Sequence, residues 1–292
     1  MKQHRKSYPV RVMCRVLDVT HSGFYVWLNA VPSQRKMADL AHVTAVKAAH
    51  EQTRKTYGTR RLHKELQDQG HEISQWKVRI LRKKLGLRCK QVKKCKATTN
   101  SQHNLPIAEN LLDQKFEPTA PNQQWVTDIT YIPTDEGWLY LAGVKDVFTC
   151  ELVGYAMASR MTKGLCISAL QLAVISKKPA AGLIHHSDRG SQYCSYAYQR
   201  KVKKAGMLPS MSRKGNCWDN APMESCWGSL KNELVHHKRY ATRADARDDI
   251  TEYIEVFYNR QRRHSRLNDV APVAFYKQFY AQQQIIAEAT CA

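Results

Sequence analysis

The spacing of apolar residues changes character near residue 123, and that change limits what the chain can fold into. Before it, apolar side chains recur every three or four positions. After it, they alternate or run on among β-branched and aromatic residues. Such a chain builds helices first and a sheet afterwards. Residues 125–132 read as a strand, 137–149 as a second and 151–159 as a third. Residues 162–176 read as an apolar helix, 182–186 as a fourth strand, and 208–211 as a short fifth strand that comes after a helix from 196.

Three antiparallel strands followed by helix, strand, helix, strand and helix predict an α/β fold. The order is most like a ribonuclease H-like core, a five-stranded mixed sheet with flanking helices, here preceded by an all-α helix-turn-helix region. The helical part divides further. Residues 9–17, apolar through Val12, Val16 and Leu17, and 24–28 read as two short helices around the turn Thr20-His21-Ser22-Gly23, either a helix-turn-helix or a plain hairpin. A helix over 38–56 is broken at Tyr57-Gly58-Thr59. The next, over 60–69, turns Leu62 and Leu66 inward and ends at Gly70. Ser74 caps a third, over 75–85, ended by Gly86. Its inner face is Val78, Leu81 and Leu85, and its outer face carries Lys77, Arg79, Arg82, Lys83 and Lys84. A short helix, a capped turn and a basic helix form a DNA-binding layout, so Lys77, Arg79, Arg82 and Lys83 are expected at DNA. A solvated basic face is the plainer alternative.

Charge favours a polyanionic partner. Residues 1–100 hold 23 Lys and Arg against 6 Asp and Glu, so +17 of the +21 net charge lies in that third. Residues 88–96 form a basic run, 98–102 are polar, and Pro106, Pro118 and Pro121 interrupt the stretch up to the first strand, which predicts a linker. At the far end Thr242 caps a helix with Ile250, Ile254 and Phe257 inward, running to about residue 260. A basic stretch over 259–266 closes it. The expected segments are 1–35, 36–88, 89–121, 122–240 and 241–292. The nine cysteines include no C-x-x-C pair, which argues against a zinc site and a disulfide framework. No apolar run approaches a membrane span or a signal peptide, so a cytoplasmic, nucleoid-associated chain without membrane contact is expected.

The chemistry concentrates in carboxylates. His185-His186-Ser187-Asp188-Arg189-Gly190-Ser191-Gln192-Tyr193 is a short buried strand ending on an acid and a turn, where open sheets collect ligands. Asp128 lies 60 positions earlier, mid-strand among apolar neighbours, where an ionised group is costly unless paired or bound to metal. Glu224 comes after Asp188 with 35 intervening residues, on a helix that buries Met223, Trp227, Leu230 and Leu234. Asp219 or Asn220 is its expected cap, and Pro222 suits its first turn. Lys231, seven residues on, falls at nearly the same azimuth, about 10 Å along the axis. Taken singly, Asp128 also reads as an edge acid, Asp188 as a cap and Glu224 as a first-turn acid. Together they suit in-line attack at a phosphodiester, for which two Mg²⁺ ions roughly 3.5–4 Å apart need only a few carboxylates. Asp146 reads as a minor near-site group, Asp135-Glu136 as a hairpin turn and His185 as a core residue. His186 and Arg189 have candidate roles beside the acid, Arg189 at a phosphate.

These motifs resemble one family closely. Trp125-Val126-Thr127-Asp128-Ile129-Thr130, the stretch from His186 to Tyr193, and Asn220-Ala221-Pro222-Met223-Glu224-Ser225 with Trp227 are similar to the DDE-type transposases of two-frame bacterial insertion sequences. The catalytic core of those enzymes is related to retroviral integrases. Tyr57-Gly58-Thr59-Arg60-Arg61-Leu62, Tyr258-Asn259 and His264-Ser265 extend the likeness over essentially the whole chain. The resemblance implies that Asp128, Asp188 and Glu224 hold two Mg²⁺ ions, with Mn²⁺ as a substitute, and that Lys231 touches DNA. It implies double-stranded DNA, both element ends and target, as substrate, hydrolysis followed by strand transfer, and a homo-oligomer on DNA. It also implies an upstream reading-frame product as partner, since no heptad pattern precedes these motifs. A hydrolytic nuclease and a catalytically idle DNA-binding subunit are the rival readings.

Overall fold

A computed structural model describes residues 1–31, 33–90, 106–213 and 217–291. The polar tract at 98–102 and most of the basic run before it lie outside the described residues. In chain order the helical part comprises α1 (Val10–Val16), α2 (His21–Asn29), α3 (Gln34–Gln52), α4 (Thr59–Asp68) and α5 (Gln75–Lys84). Caps set their starts: the hydroxyl oxygens of Thr20, Ser33 and Ser74 accept from the amides of Gly23, Lys36 and Lys77. Gly70 and Gly86, with φ of +82° and +64°, allow the turns after α4 and α5. The apolar face of the first helix is not buried, since Val12 is 51% and Val16 76% exposed. Cys14 and Phe24 are the buried residues of α1 and α2, because among the described residues these two short helices pack chiefly on each other.

The sheet contains β1 (Gln124–Thr134), β2 (Gly137–Asp146), β3 (Leu152–Ala158), β4 (Ile184–Ser187) and β5 (Leu208–Met211) in the order β3-β2-β1-β4-β5. The first three strands pair antiparallel, while β4 and β5 add in parallel, the mixed five-stranded arrangement expected. The helices between and after them are α6 (Lys163–Lys177), α7 (Ser191–Cys194), α8 (Tyr196–Lys204) and α9 (Ala221–Glu233). After these come α10 (Arg243–Glu252), a π-helical turn Tyr253–Tyr258 and α11 (Pro272–Cys291). Alternation along β1 and β2 supplies two cores. Trp125, Ala142 and Val144 pack with α6 and α8 through Leu165, Ala169, Leu170, Tyr198 and Val202. Val126, Ile132, Leu139 and Leu141 pack with α9 through Met223, Trp227 and Leu230.

That second core runs on without a break into the helical region and the C-terminal segment. Val46, Leu62, Leu66 and Val78 share it with Ile250, Ile254 and Phe257. Tyr57 closes the junction: its hydroxyl donates to the Gln261 carbonyl at 3.1 Å and accepts from the Arg263 amide at 2.8 Å. Arg263 pairs with Glu65 and Asp68, and Arg60 pairs with Asp269. Much of the C-terminal basic stretch therefore holds the fold together. Thr242 and Asp245 form the capping box that starts α10. The helix expected to run to residue 260 gives way to the π-helical turn after Glu252. Among the described residues no helix is long and apolar enough to cross a membrane.

Candidate active site

The parallel ladder between β1 and β4 ends at the pair Thr127–Ser187, and each strand's next residue is an acid. Asp128, within β1, and Asp188, just past the end of β4, thus lie side by side where the parallel ladder stops. The Gly190 amide donates to Asp188 Oδ1 at 2.9 Å, which fixes that carboxylate in its turn. Asp128 keeps its antiparallel pairing with Gly143 on β2. Burial, the Asp188 charge and the Glu224 charge all push the Asp128 carboxyl well above the ordinary range, and the Ile129 amide opposes them. The indole of Trp227 also lies against Asp128 and opposes the rise, though its N–H makes no hydrogen bond of ordinary length and is buried without another partner.

Glu224 enters from the other side, on the exposed flank of the first turn of α9. Burial raises its carboxyl too. The seat of α9 is set by Gly143. A Cβ there would lie 2.6 Å from Trp227 Cη2 and 2.8 Å from Met223 Cε, so only glycine lets the helix rest on β2 opposite Asp128. Two further bonds hold its start. Asn220 Nδ2 donates to the Thr127 carbonyl at 3.1 Å, and the buried Lys145 donates from Nζ to the Pro222 carbonyl at 2.9 Å.

Neither expected cap acts as one. Asn220 makes no side-chain cap bond, and Asp219 is spent elsewhere. The Asp219 carboxylate accepts from the Arg213 amide and guanidinium, from Asn110 Nδ2 and from Gln114 Nε2. Those bonds, Arg213 first, hold it well below the usual carboxylate range. The approach to α9 is thereby pinned to the segment that precedes the sheet. The sequence offered no signal for this, because Asn110 and Gln114 lie about 100 positions away from Asp219.

Several expected roles change. His186 is fully buried between the hydroxyls of Ser210 and Ser212, at 2.8 and 3.1 Å, and is closed off from the surface. His185 shares a hydrogen bond with the Tyr198 hydroxyl, as a core residue. Asp146 accepts from the amides of Asn122 and Thr149, which staples a loop. Asp135 and Glu136 form the β1–β2 turn, paired with Arg239 and Arg243. Arg189 is half-buried and donates from Nε to the Ser212 carbonyl at 2.5 Å, so it braces the strand ends instead of standing out from the turn. Lys231 holds its ammonium 4.7 Å above the Tyr131 ring, which meets Trp138 edge-on at 5.0 Å. On α5, Arg79 and Lys83 are exposed, Lys77 is ion-paired with Asp39, and Arg82 donates to Thr59 Oγ1 at 2.7 Å. These four belong to the helical region and take no part in the carboxylate site.

The donor set suits a hard divalent cation, which prefers carboxylate oxygen. A buried acid such as Asp128, whose protonation is favoured by burial and by the Asp188 charge beside it, is what such a cation would relieve. As placed, no three His, Cys, Asp or Glu side chains among the described residues stand close enough to hold an ion, so Glu224 completes no cluster in this arrangement.

A mixed sheet in this order, with one acid within β1, a second just past the end of β4 and a third on the helix after β5, defines the integrase-core class of polynucleotidyl transferases. Residues 118–217 and 205–272 match integrase core domain families, and residues 37–94 match an HTH-like domain. The chain is 58% identical over 268 residues to the "uncharacterized 31 kDa protein" of insertion element IS600 from Shigella sonnei, covering 92% of this chain and 98% of that one. It is 40% identical over 277 residues to the transposase InsF of insertion sequence IS3A from Escherichia coli K12, covering 94% and 96%. Among solved structures, the HTLV-2 integrase catalytic core in complex with magnesium (trimeric form) is similar at 15% identity and a TM-score of 0.44, over 55% of this chain and 99% of that one. The chain belongs to the DDE-type insertion-sequence transposases and is an enzyme of that class.

Proposed function

We propose that this transposase cuts and joins DNA at Asp128, Asp188 and Glu224, with two Mg²⁺ ions, or Mn²⁺ in their place. The observation that carries the reading is that Asp128 and Asp188 both follow the last pair of the β1–β4 ladder, with the Glu224 charge felt at Asp128. Divalent ions bound there supply charge neutralisation for an in-line displacement at phosphorus. The residues do the rest. The Gly190 amide and the turn of β4 hold Asp188, and the β1 ladder holds Asp128. The seat of α9 on Gly143 sets where Glu224 stands. In the first step water attacks phosphorus at the element end, and the broken P–O bond leaves a 3′-hydroxyl. In the second step that hydroxyl attacks a target phosphorus and displaces a target 3′-hydroxyl.

The substrate on this reading is double-stranded DNA, element end and target, met by Lys231 and by Arg79 and Lys83 on the helical region. Lys77, Arg82 and Arg189 reach phosphate only by leaving their intramolecular partners. Two ends brought together require a homo-oligomer, and an upstream reading-frame product supplies further end recognition. Its site of action is the nucleoid.

The test is strand transfer in Mg²⁺ or Mn²⁺ on a labelled duplex carrying the element end, with wild type beside Glu224→Gln. Joined product in the wild type alone supports the assignment. Equal joining by both proteins removes Glu224 from it. Nicks without joining point to a hydrolytic nuclease or a missing upstream partner, which adding that partner separates.

A further inference from the structure

On the flank of α9 away from Glu224 lies a cavity of about 480 Å³. Four cationic side chains from three parts of the fold line it: Arg61 from α4, Lys145 from β2, and Arg262 and Arg266 from the segment after the π-helical turn. Among the described residues its lining includes no Asp or Glu. Glu233, on the far side, pairs with Arg262 at 2.7 Å and answers one of the four charges. Arg61 sits close enough to Arg262 to feel its repulsion, and His264, also in the lining, is kept neutral by burial and by Arg262, Lys145 and Arg61.

Uncharged donors converge on the same space. Ser225 and Ser229 lie one turn apart on α9, and Ser265 faces them from the C-terminal segment. Ser229 Oγ accepts from Arg262 at 3.1 Å. Tyr258 is 1% exposed and lines the cavity, while its hydroxyl lies against the Cys226 thiol. Ala221 and Pro222 bring in the positive end of the α9 dipole. Arg61, Lys145, Arg262 and Arg266 border one space, and a tetrahedral oxyanion with several acceptors relieves the repulsion among them.

We propose that this cavity is a phosphate-binding site, separate from the carboxylate centre, which takes either a backbone phosphate of a bound DNA strand or a small free phosphoanion. Guanidinium forks suit phosphate oxygens, and the room exceeds what one carboxylate would fill. Occupancy would tie α4, the start of α9 and the C-terminal segment to one ligand. The strand source rests on the transposase reading above. The free-anion source does not.

The test uses the full chain in EDTA with inorganic pyrophosphate as probe, beside Arg61→Gln/Arg266→Gln. Pyrophosphate is expected to raise the wild-type unfolding midpoint saturably, and the double variant to lose that shift. Ser265→Asp, which places a negative charge at the exposed rim, should lose it too and guards against a misfolded double variant. In parallel, the salt dependence of duplex binding is measured; each lost phosphate contact lowers the log–log slope by about 1. Loss of the pyrophosphate shift with an unchanged slope assigns the site to a free phosphoanion. A lower slope without any pyrophosphate effect assigns it to a strand phosphate, and both together mean that the two compete. An unchanged slope and no variant-sensitive pyrophosphate shift overturn the proposal, whatever the strand-transfer result.

Discussion

Gly143→Ala tests how the third acid is placed. The new methyl carbon would lie 2.6 Å from Trp227 Cη2 and 3.0 Å from Cζ2, against the 3.4 Å at which ordinary contact begins. Met223 Cε, at 2.8 Å, ends a flexible side chain and can swing aside. The Trp227 ring is rigid and 5% exposed, so the helix itself must move by the difference between 3.4 and 2.6 Å, 0.8 Å. Glu224 stands between these two contact residues in the chain and is carried with them. Overpacking of this kind costs about 1–3 kcal/mol. Misplacing a reacting group by about 1 Å costs about 100-fold in rate. Strand transfer on the end-bearing duplex should therefore fall by about two orders of magnitude, while urea unfolding shows a loss within that stability range. Adding Trp227→Phe removes both offending ring atoms and should recover most of the stability. A Gly143→Ala protein with wild-type joining and an unchanged midpoint would refute the claim that this glycine seats α9.

Further outcomes stem from buried charge. Glu233→Ala strands Arg262, whose side chain is 7% exposed, and should destabilise the fold by about 3–5 kcal/mol in urea; a loss under about 1 kcal/mol would show that the pair is not needed. Burial pushes His185 down to about 3 and His264 to about 2, from 6.5, so the folded protein keeps both neutral. Above pH 6.5 neither state takes the proton and stability is unaffected. As pH falls below 6.5 the unfolded chain binds protons that the folded chain refuses, so stability drops by about 1.4 kcal/mol per pH unit for each histidine, until the folded values are reached. The difference in urea midpoint between wild type and His185→Gln, followed from pH 7.5 to 5, isolates one of them. A pH-independent difference would mean that His185 is not held neutral.

Local physics was legible before any fold was known. Alternation marked β1 and β2, spacing and caps marked α4, α5 and α10, and the acids stood out as charges among apolar neighbours. The boundaries that moved did so where local signals compete. The predicted helix to residue 260 became a π-helical turn at Tyr253–Tyr258, and the apolar residues Val12 and Val16 of α1 stay exposed. The site was legible as residue types and intervals but not as contacts. Asn220, Gly143 and Trp227 carry no local mark of their part in it, because their partners lie on other elements.

The chain by itself determined which residues are acidic and basic, where helices begin and stop, and that a mixed sheet comes after a helical layer. Only the tertiary structure decided which of them meet. Asp128 and Asp188 become neighbours because β4 joins β1 in parallel with Thr127 opposite Ser187. The cations divide in the same way. Arg262 and Arg263 looked like a basic tail, yet Glu233, Glu65 and Asp68 take them up, while Arg79 and Lys83 stay at the surface. The physical reason is that spacing and capping act within a few residues, whereas a side chain's charge is settled by whatever the crossovers bring against it.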